Sequence, residues 1–595
     1  MNNNIEAKAS VNGFLWNIHN TDEALVELLR KKLDISEIIA RLLVVKGVSL
    51  EEASGFLKPT LREYMPDPFH LLDMEKATDI ICASVIAKEK IVIFGDYDVD
   101  GATSSALLKR FFTLLGVETE VYIPDRIGEG YGPTIESFTL LKERGTDLII
   151  TVDCGTSSFE AIEYGVNNGI KIIVIDHHLS GEVLPPAHAI VNPSRFDETS
   201  EYTYLAAVGV AFLLSVAITS VLRKNNYFLN ITEPDLIKLL DIVAIGTICD
   251  VVPLKSLNRA FVIQGLKILN KRQNPGVLAF CKLLNLDNEL GTYHLGYVIG
   301  PRINAGGRVG ESFLGSKLLS TDNEEEAFEV VQKLDQYNQE RRAIESNVYD
   351  QALEQANKLS PDDSFILVSG EKWHPGVVGI VAGRLKEKLN KSVAVISLEG
   401  DKAKASCRAI NGNDFGTAIV KAKEEGLLLS GGGHKMAAGF TALAKDLPAI
   451  KSFLHNRFSK ELALITNKGS RYFDAYLTTQ SINIEFAKQL EKLGPFGPSN
   501  HEPRFVLKNV YVARFNIFGV NHVSCFISCA ESKSLVNLLK ANAFRAADSR
   551  LGEILVENKR KIIDLVGCIR INRWKGRETS EFIIDDAIMT SNNYN

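Results

Sequence analysis

The sequence predicts an α/β protein in which a parallel sheet is followed by a second, smaller α/β unit and a C-terminal β-barrel. Three observations lead to this fold class. Short β-branched runs alternate with helix-like segments between residues 91 and 175, an unbroken helical pattern fills residues 324–359, and short alternating segments begin beyond Ser470. With 595 residues, the chain has room for about three or four domains.

The parallel sheet is predicted from four buried-strand runs that follow an N-terminal helical region, residues 20–87. The runs are Ile91–Phe94, Val121–Ile123, Leu148–Val152 and Ile172–Ile175. Runs of this kind, separated by helices, are typical of a parallel sheet that is covered on both faces. Ligands of such sheets bind beyond the carboxyl ends of the strands.

One apolar stretch raises the question of a membrane segment. Tyr204–Leu222 contains 19 uncharged residues, which is long enough to span a bilayer. It also contains Ser215, Thr219 and Ser220, and the sequence offers no second candidate span. We therefore expect a buried core helix and no membrane partner.

A long helix and two further folding units are expected after the sheet. Apolar residues keep a three-four spacing from Glu324 to about Leu359, which favours one helix connecting two lobes over two helices with a bend. Phe365–Val368 and Val393–Ser397 begin the second α/β unit, which extends to about Ile465.

Composition and charge limit the possible partners. Hydrophobic residues make up 45% of the chain and charged residues 24%, as in soluble globular proteins. The net charge of −6 excludes a uniformly basic surface, so a polyanionic partner requires a local basic groove and metal ions. The eight cysteines form no CxxC pair and no secretory signal follows Met1, which predicts a cytoplasmic protein without a zinc ribbon.

Carboxylates and imidazoles stand where strands or a helix end. They are Asp96, Asp98 and Asp100 after the first strand, Asp153 after the third, Asp176, His177 and His178 after the fourth, and Asp250 after a helical run. So many anions at one sheet edge would repel one another without cations. Oxygen ligands with an imidazole suit Mn²⁺ or Mg²⁺, and two such ions about 3.5–4 Å apart can clamp a phosphoryl oxygen. The pattern therefore predicts phosphoester hydrolysis.

Each of these residues also has a simpler interpretation. A single Asp after a strand is usually a helix N-cap, and a His-His pair can be a packed turn. The Asp-x-Asp-x-Asp-Gly run could open a calcium loop, but Leu107 stands at the twelfth position and the run follows a strand. The coincidence of all four segments favours a metal site.

The same segments resemble the motifs of a known family. Four segments are similar to the four motifs of the DHH phosphoesterase superfamily: Gly-Asp-Tyr-Asp-Val-Asp-Gly, Val-Asp-Cys-Gly, Asp-His-His and Gly-Thr-Ile-Cys-Asp-Val-Val-Pro-Leu. Within that superfamily, their residues resemble those of RecJ-type single-strand-specific exonucleases. The likeness continues through Gly300–Arg308, Trp373–Gly376, Ser406–Arg408 and Gly431–Gly439. It runs from about Trp16 to the barrel.

The resemblance implies a two-lobed architecture followed by an OB-fold. Expected are an N-terminal helical segment packing on the catalytic lobe (1–85), a DHH catalytic domain (86–323), a connecting helix (324–360), a DHH-associated substrate-binding domain (361–466) and an OB-fold single-strand-binding domain (467–595).

It also implies a role for each acidic residue. Asp98, Asp100, Asp153, His177 and Asp250 would be metal ligands, with Asp153 as the bridging carboxylate. In addition, Asp96 would be a further acidic group, His178 would face the substrate and Asp176 would orient the histidine turn. Phe94 stands where many superfamily members have a His, so the first metal would be held more loosely.

A phosphate pocket is expected in the second lobe. We expect a helix of small residues to follow Gly431–His434. Its start would present backbone N–H groups to a phosphate, and the alternative is a tight turn. By the resemblance, Ser406, Arg408, His434 and Arg302 form a pocket for a terminal 5′ phosphate. Ala409 replaces a hydroxyl common in the family, which would weaken that pocket.

Further substrate contacts are expected nearer the catalytic lobe. Arg126 matches a family loop beside the active site, and its alternative is a surface arginine. Asn304 and Arg308 are further expected contacts.

The C-terminal segment interleaves aromatic and basic residues. They are Phe496, Phe505, Tyr511, Phe515, Trp574, Arg504, Arg514, Arg570, Arg573 and Lys575. An OB-fold uses such residues to stack single-stranded bases, although aromatics at strand spacing are more often core. The family resemblance favours the first interpretation.

The function that the resemblance implies is metal-dependent 5′→3′ exonuclease action on single-stranded DNA, releasing mononucleotides in repair and recombination with two Mn²⁺ or Mg²⁺ ions. A small-substrate DHH phosphodiesterase and a non-catalytic DNA-binding scaffold are the alternatives. The resemblance also implies a monomer whose partners are a single-strand-binding protein and recombination or mismatch-repair enzymes.

Overall fold

The computed structural model describes residues 9–126, 128–360, 363–410, 413–463, 469–530, 538–557, 561–574 and 576–593. They divide into two units. One unit holds Asp67–Asp250 and Gly265–Thr466, and the other holds the described residues of Met1–Pro66, Val251–Gln264 and Asn467–Asn595.

The strands are β1 (Leu15–Ile18), β2 (Ile91–Gly95), β3 (Thr119–Tyr122), β4 (Leu148–Val152), β5 (Lys171–Ile175), β6 (Ala189–Val191), β7 (Phe365–Glu371), β8 (Ser392–Glu399), β9 (Lys402–Arg408), β10 (Ser430–His434), β11 (Ala437–Leu443), β12 (Ser470–Phe473), β13 (Ala475–Leu477), β14 (Phe505–Phe518), β15 (His522–Cys529), β16 (Leu539–Ala543), β17 (Lys561–Trp574) and β18 (Arg577–Asn593).

The helices are α1 (Glu23–Leu33), α2 (Glu37–Val45), α3 (Ala53–Leu57), α4 (Leu61–Tyr64), α5 (Met74–Ala87), α6 (Val99–Leu114), α7 (Ile135–Glu143), α8 (Phe159–Asn167), α9 (Ala207–Lys224), α10 (Leu240–Cys249), α11 (Ser256–Leu269), α12 (Pro275–Leu284), α13 (Gly300–Val309), α14 (Leu314–Ser320), α15 (Glu324–Asn357), α16 (Pro375–Leu389), α17 (Phe415–Glu424), α18 (Leu447–Ala463), α19 (Ile484–Glu491) and α20 (Arg550–Glu557).

The first sheet is parallel throughout, with the strand order β3-β2-β4-β5-β6. Alternate side chains such as Phe94 and Ile149 pack with α7 and α8. The residues between them, such as Ile93 and Ile150, are also buried, and α6 and α9 contact the same strands. The prediction of a parallel sheet covered on both faces is confirmed, because β2 and β4 at its centre are buried along their whole length.

The apolar stretch that raised the membrane question forms α9. Among the described residues, this helix is the one that is long and apolar enough to cross a bilayer, and 72% of its 18-residue window is buried inside the protein. Its buried side chains lie on every side of the helix, as expected for a core helix.

The second α/β unit follows α15, a single helix of 34 residues, so the prediction of one long helix is confirmed and the bent alternative is wrong. The mixed sheet of this unit has the strand order β10-β11-β9-β8-β7. One of its faces packs against α16, and the other packs against α17 and α18.

The expected helix after the glycine run is instead a β-hairpin. β10 pairs antiparallel with β11, and Gly433 lies opposite Ala438. A Cβ at Gly433 would lie 2.5 Å from the carbonyl oxygen of Ala437, and the φ of +141° also favours glycine. The small residues therefore allow two strands to approach closely. In the sequence, the same small residues would also fit a closely packed helix.

The C-terminal segment forms the predicted β-barrel. β14, β15, β16, β18 and β17 pair in that order, and β17 also pairs with β14, which closes the barrel. β13 adds to β14 in parallel, and α20 connects β16 to β17. This strand order is that of a five-stranded OB-type barrel.

The N-terminal segment is divided differently from the expectation that residues 1–85 pack on the catalytic lobe. Val26 and Leu42 of α1 and α2 share a core with Phe505 and Leu565 of the barrel, and β1 pairs in parallel with β12. α5, by contrast, packs against β6 and α9. The apolar faces of α1 and α2 are thus buried against the barrel. Helical periodicity does not reveal which element covers these faces.

Candidate active site

The acidic residues converge because three strands end in register. Gly95 of β2 is paired with Val152 of β4, which is paired with Ile175 of β5. The next residue after each strand is an aspartate, so Asp96, Asp153 and Asp176 leave the same edge of the sheet together.

Asp98 and Asp100 are brought to this edge by the start of α6. Asp98 is the N-cap, and its Oδ1 accepts hydrogen bonds from the N–H groups of Asp100 (2.9 Å) and Gly101 (3.2 Å). A Cβ at Gly101 would lie 2.3 Å from the carbonyl oxygen of Asp96, so the tight loop requires glycine there. The N-cap interpretation of Asp98 and the metal-ligand prediction are compatible, because the cap uses one oxygen.

His177 lies between the carboxylates. Its Nε2 is 3.3 Å from Asp153 Oδ1, 3.7 Å from Asp250 Oδ2 and 3.8 Å from Asp100 Oδ2. Its Nδ1 lies 3.2 Å from the carbonyl oxygen of Leu205. An N–H donated at Nδ1 leaves a lone pair on Nε2 that faces the carboxylates.

Asp176 holds the histidine turn, as the family resemblance implied. Its Oδ1 accepts the N–H groups of His177 (2.8 Å) and His178 (3.2 Å) and lies 2.8 Å from His178 Nδ1. Burial opposes ionisation of Asp176, but the hydrogen bond and charge of His178 hold its pKa below the usual value. Burial likewise opposes the charge of His178, whereas Asp176 and the nearby aspartates raise its pKa to about 9.

Asp96, Asp153 and Asp250 are destabilised in their charged form. Burial, followed by the charge of Asp98, raises the pKa of Asp96 to about 8. Burial, followed by the charges of Asp100 and Asp98, raises the pKa of Asp250 to about 9, and burial also raises the pKa of Asp153. A bound cation would reverse this penalty.

The cluster fits divalent metal ions. Within the described part of the chain, three buried carboxylate oxygens have no hydrogen-bond partner: Asp96 Oδ1, Asp153 Oδ1 and Asp250 Oδ2. Ligand atoms lie within 4.8 Å of one another in three groups: Asp96, Asp98 and Asp153; Asp100, His177 and Asp250; and Asp153, His177 and His178. Asp153 and His177 each belong to two of these groups. The oxygen-rich donor set suits Mn²⁺ or Mg²⁺.

Phe94, which replaces the histidine of many superfamily members, points away from this cluster. Its ring is buried between the sheet and α7, 5.2 Å from the ring of Tyr122 and 5.8 Å from that of Phe138.

A cleft of about 1480 Å³ opens beside the cluster. Tyr131 lines it and its hydroxyl lies 3.2 Å from the carbonyl oxygen of Asp153, so the cleft and the cluster are adjacent. Arg126, predicted as a substrate contact, stacks 4.8 Å from the ring of Tyr97. Burial and the charge of Arg126 lower the pKa of Arg308 to about 10. Two neighbouring cations in a cleft favour an anionic ligand.

Ser406 and Arg408 line the opposite wall of the cleft. Alternate side chains of a strand share a face, so Lys404, Ser406 and Arg408 of β9 point the same way. Arg408 Nη1 donates to Ser406 Oγ at 3.3 Å, and burial lowers the pKa of this arginine. A Cβ at Gly379 of α16 would lie 3.1 Å from Ser406 Oγ, so the glycine keeps this wall open.

Arg302 does not join this pocket. Its Nε donates to Asp335 Oδ1 at 2.8 Å and its Nη1 donates to the carbonyl oxygen of Val298 at 2.7 Å, which ties α13 to α15. Asn304 is half-buried on α13, one helical turn before Arg308. In this structure Arg302 is paired with an acidic residue 33 positions away in the chain and does not line the cleft, so its contact with the terminal phosphate stays a prediction.

His434 lies near the pocket but does not line the cleft. The register places His434 opposite Ala437, which is opposite Arg408, so His434 is on the same sheet face two strands away, about 10 Å. The sequence reasoning missed Lys404 and His374, which do line the cleft. The alternation Lys404-x-Ser406-x-Arg408 was the signal for Lys404.

The aromatic and basic residues predicted for single-strand binding on the barrel are mostly engaged elsewhere. Phe505 and Tyr511 are buried, and Phe496 and Phe515 pack against the same core. Arg504, Arg570 and Arg573 form ion pairs with Asp585, Glu502 and Glu491, respectively. Arg514 stacks on Phe526, Trp574 is 69% exposed, and Lys575 lies outside the described residues.

A different row of rings is exposed on the barrel. Phe518, His522 and Phe544 lie side by side on β14, on β15 and after β16, with ring centroids 5.2 and 5.4 Å apart between neighbours. Phe518 is 37% exposed and Phe544 52%. This row lies on the strand-two and strand-three side of the barrel, where OB-folds bind oligonucleotides.

Comparisons with known proteins agree with this arrangement. Models of the DHH family N-terminal domain, the DHHA1 domain and the RecJ OB domain match residues 90–247, 362–460 and 473–586. The single-stranded-DNA-specific exonuclease RecJ of Bacillus subtilis (strain 168) is 32% identical over 97% of this chain and 71% of its own length. That of Escherichia coli (strain K12) is 32% identical over 94% of this chain and 99% of its own length.

Solved structures agree as well. RecJ from Thermus thermophilus in complex with Mn²⁺ is similar with a TM-score of 0.79 and 26% identity, covering 98% of this chain and 80% of that one. An exonuclease RecJ bound to manganese gives a TM-score of 0.57 at 31% identity over 67% of this chain and 97% of that one. The predicted two-lobed DHH fold with a C-terminal OB-fold is thereby confirmed. Because the identity of about a third extends over nearly the whole of this chain and all three domain models follow in order, the chain belongs to the RecJ family of single-stranded-DNA-specific exonucleases.

Proposed function

We propose that this protein is a metal-dependent exonuclease that degrades single-stranded DNA from the 5′ end to mononucleotides during DNA repair and recombination. One observation carries the proposal: a cluster with unpartnered carboxylate oxygens lies next to a cleft that Arg126, Arg308 and the Ser406–Arg408 pair line, and Tyr131 connects the two. The cluster suits metal ions and the cleft suits a phosphate.

The cluster would hold Mn²⁺ or Mg²⁺ through Asp96, Asp98, Asp100, Asp153, His177 and Asp250. When bound, ions of this kind activate water and offset charge on a phosphoryl oxygen. Asp176 fixes the ring of His178, because its Oδ1 lies 2.8 Å from His178 Nδ1. With Nδ1 bonded to Asp176, His178 Nε2 can contact an oxygen of the scissile phosphate.

Two of the cationic residues of the cleft act on the developing negative charge. Arg126 and Arg308 line the cleft next to the cluster, and the backbone carbonyl of Gly376 holds Arg308 at 2.8 Å. Donors that are already oriented stabilise a transition state without reorganisation.

Ser406 and Arg408 are the proposed pocket for the terminal 5′ phosphate. A guanidinium and a hydroxyl 3.3 Å apart can share one phosphate through charge-assisted hydrogen bonds. Anchoring the end of the strand would place the first phosphodiester at the cluster and release one nucleotide per cleavage.

The barrel provides a second binding surface for the single strand. We propose that bases stack on the row of Phe518, His522 and Phe544, because Phe518 and Phe544 are exposed, the three rings are adjacent and aromatic stacking tolerates any base sequence. A single-strand-binding protein and recombination or mismatch-repair enzymes as partners, a monomeric state and a cytoplasmic location are further proposals, supported by the family relationship.

The test uses one strand labelled at its 5′ end and the same strand labelled at its 3′ end, each with Mn²⁺, Mg²⁺ or EDTA. The proposal expects immediate, metal-dependent release of labelled mononucleotide from the 5′ label and none from blunt duplex. Hydrolysis confined to dinucleotides would assign a small-substrate phosphodiesterase. Tight binding without cleavage under either metal would assign a DNA-binding scaffold.

A further inference from the structure

Both carboxylate oxygens of Asp100 are already bound by the backbone at the start of α9. Oδ2 accepts the N–H of Ala207 at 2.6 Å, and Oδ1 accepts the N–H of Val208 at 3.0 Å. These N–H groups belong to the first turn of the helix, where no helix carbonyl can accept them. The helix dipole also favours a carboxylate at this end.

The same segment holds His177 through a group of opposite polarity. The carbonyl oxygen of Leu205 lies 3.2 Å from His177 Nδ1. Accepting that proton fixes the ring so that Nε2 faces Asp100, 3.8 Å from its Oδ2. Residues 205–208, here called the α9 entry segment, therefore contact two predicted ligands that come from different motifs.

The α9 entry segment is well suited to hold these ligands at a fixed separation. Its four residues, Leu205 to Val208, are fully buried, and the 18-residue helix that follows is largely enclosed by the protein core. Closely packed interiors resist small displacements, so the donors and the acceptor keep their places. Asp100 enters from α6 and His177 from the end of β5, and neither of those elements alone sets the distance between them.

We propose that the α9 entry segment is the positioning element that prepares Asp100 and His177 for metal binding. The N–H groups of Ala207 and Val208 orient the carboxylate, and the carbonyl of Leu205 orients the imidazole. The inference rests on the proposed metal site and adds residues that touch neither metal nor substrate.

Ala207→Pro tests this with little disturbance of the helix. Ala207 is the first helical residue, where proline is well tolerated, and Ala206 has φ −76° and ψ 161°, the extended conformation that precedes proline. The substitution removes the N–H that binds Asp100 Oδ2. We expect the Mn²⁺ dissociation constant of the full chain to rise by about 10–100-fold, the usual effect of losing a partner of a metal ligand.

Two controls separate positioning from general damage. Ala207→Gly keeps the N–H and is expected to retain Mn²⁺ affinity within about twofold while losing thermal stability. Ile484→Pro places a proline at the first position of α19, after an extended Asn483, and should leave Mn²⁺ binding unchanged. Equal losses of Mn²⁺ affinity in Ala207→Pro and Ala207→Gly would overturn the inference.

A double-variant comparison shows whether Ala207 acts through Asp100. In an Asp100→Ala background, which has no side-chain acceptor, Ala207→Pro should no longer change the Mn²⁺ dissociation constant, and a full additional loss would contradict the inference. If wild-type protein binds Mn²⁺ and cleaves DNA but Ala207→Pro binds as tightly, the inference fails and the proposed function stands. A wild-type protein that binds no Mn²⁺ would overturn both.

Amide hydrogen exchange tests the inference about the α9 entry segment if Ala207→Pro does not fold. In metal-free Asp100→Ala protein, the amides of residues 207 and 208 should exchange about tenfold faster or more than in wild type, because their acceptor is gone. Unchanged exchange would overturn the inference.

Discussion

Asp96 and Asp250 lie where a carboxylate is difficult to ionise. Burial, with neighbouring negative charge, raises their pKa values to about 8 and about 9 in the metal-free protein. Their pKa values in the unfolded chain are near 3.8, so the folded protein binds more protons than the unfolded one between these limits. Their contribution to the free energy of unfolding therefore becomes less favourable as pH rises through this window.

Metal binding should consequently depend on pH. An ion must displace the protons on Asp96 and Asp250, so apparent Mn²⁺ affinity should rise about tenfold per pH unit for each proton released, between pH about 6 and about 8. Mn²⁺ titrations of the full chain at several pH values measure this. An affinity that stays constant across the window would contradict the description of these two carboxylates.

Arg408 should matter most when the strand carries a 5′ phosphate. Arg408→Gln removes a charge-assisted hydrogen bond, so kcat/KM on a 5′-phosphorylated strand should fall about 10–100-fold, and much less on a 5′-hydroxyl strand. Lys423→Gln removes one charge from an exposed position of the same lobe and should change neither value. An equal loss on both strands would remove Arg408 from the phosphate pocket.

The sequence revealed some contacts of the site residues and not others, for physical reasons. The proximity of Asp96 and Asp153 could be predicted because the carboxyl ends of adjacent parallel strands must meet at one edge. The pairing of Arg302 with Asp335 could not be predicted, because nothing in the motif of Arg302 points to a partner on a distant helix. His434 was expected in the pocket, but its distance from Arg408 is set by the strand register, which its motif does not reveal.

At the scale of elements, periodicity was a good guide for regular segments and a poor one for glycine-rich segments. The helical spacing from Glu324 predicted α15 nearly to its last residue. Gly431–His434 has no apolar periodicity, so its pairing with Ala437–Leu443 as a hairpin could not be read from it. Likewise, aromatic residues on the barrel strands were visible, but whether each faces the core depends on register.

The row of exposed rings is the element of the barrel to test. Phe544→Ala should weaken binding of a single-stranded oligonucleotide about 5- to 100-fold, because a stacking surface for a base is lost. Leu28→Ala, which truncates an apolar side chain of similar exposure (54%) in the same unit, should leave binding unchanged. Fluorescence anisotropy with a labelled oligonucleotide distinguishes the two. Equal effects would argue against base stacking at this row.

At the scale of the whole molecule, a net charge of −6 means that DNA binding depends on a few local cations. Arg126, Arg308, Lys372, Lys404 and Arg408 line the cleft. If each neutralises one phosphate, the logarithm of the binding constant should fall with the logarithm of salt concentration with a slope of about −3.5. A binding constant insensitive to salt would contradict this account of the cleft.

The division of the chain into units also shows what sequence analysis lacked. The N-terminal helices were recognised as helices, yet their partner is the barrel at the other end of the chain. Apolar spacing reveals that a helix has a buried face without revealing what covers that face.

The central claim is that the carboxylate and histidine cluster cleaves a strand that other surfaces hold. Single-turnover cleavage and equilibrium binding of one 5′-phosphorylated strand, measured on wild type and Asp250→Asn, test it directly. Cleavage should fall roughly 10³-fold or more while binding stays within about threefold, since metal stabilisation worth several kcal/mol is lost and the cationic and aromatic contacts remain. Asp287→Asn, at an exposed position of the same lobe, should match wild type. Retained cleavage in Asp250→Asn, or an equal loss of binding and cleavage, would contradict the account.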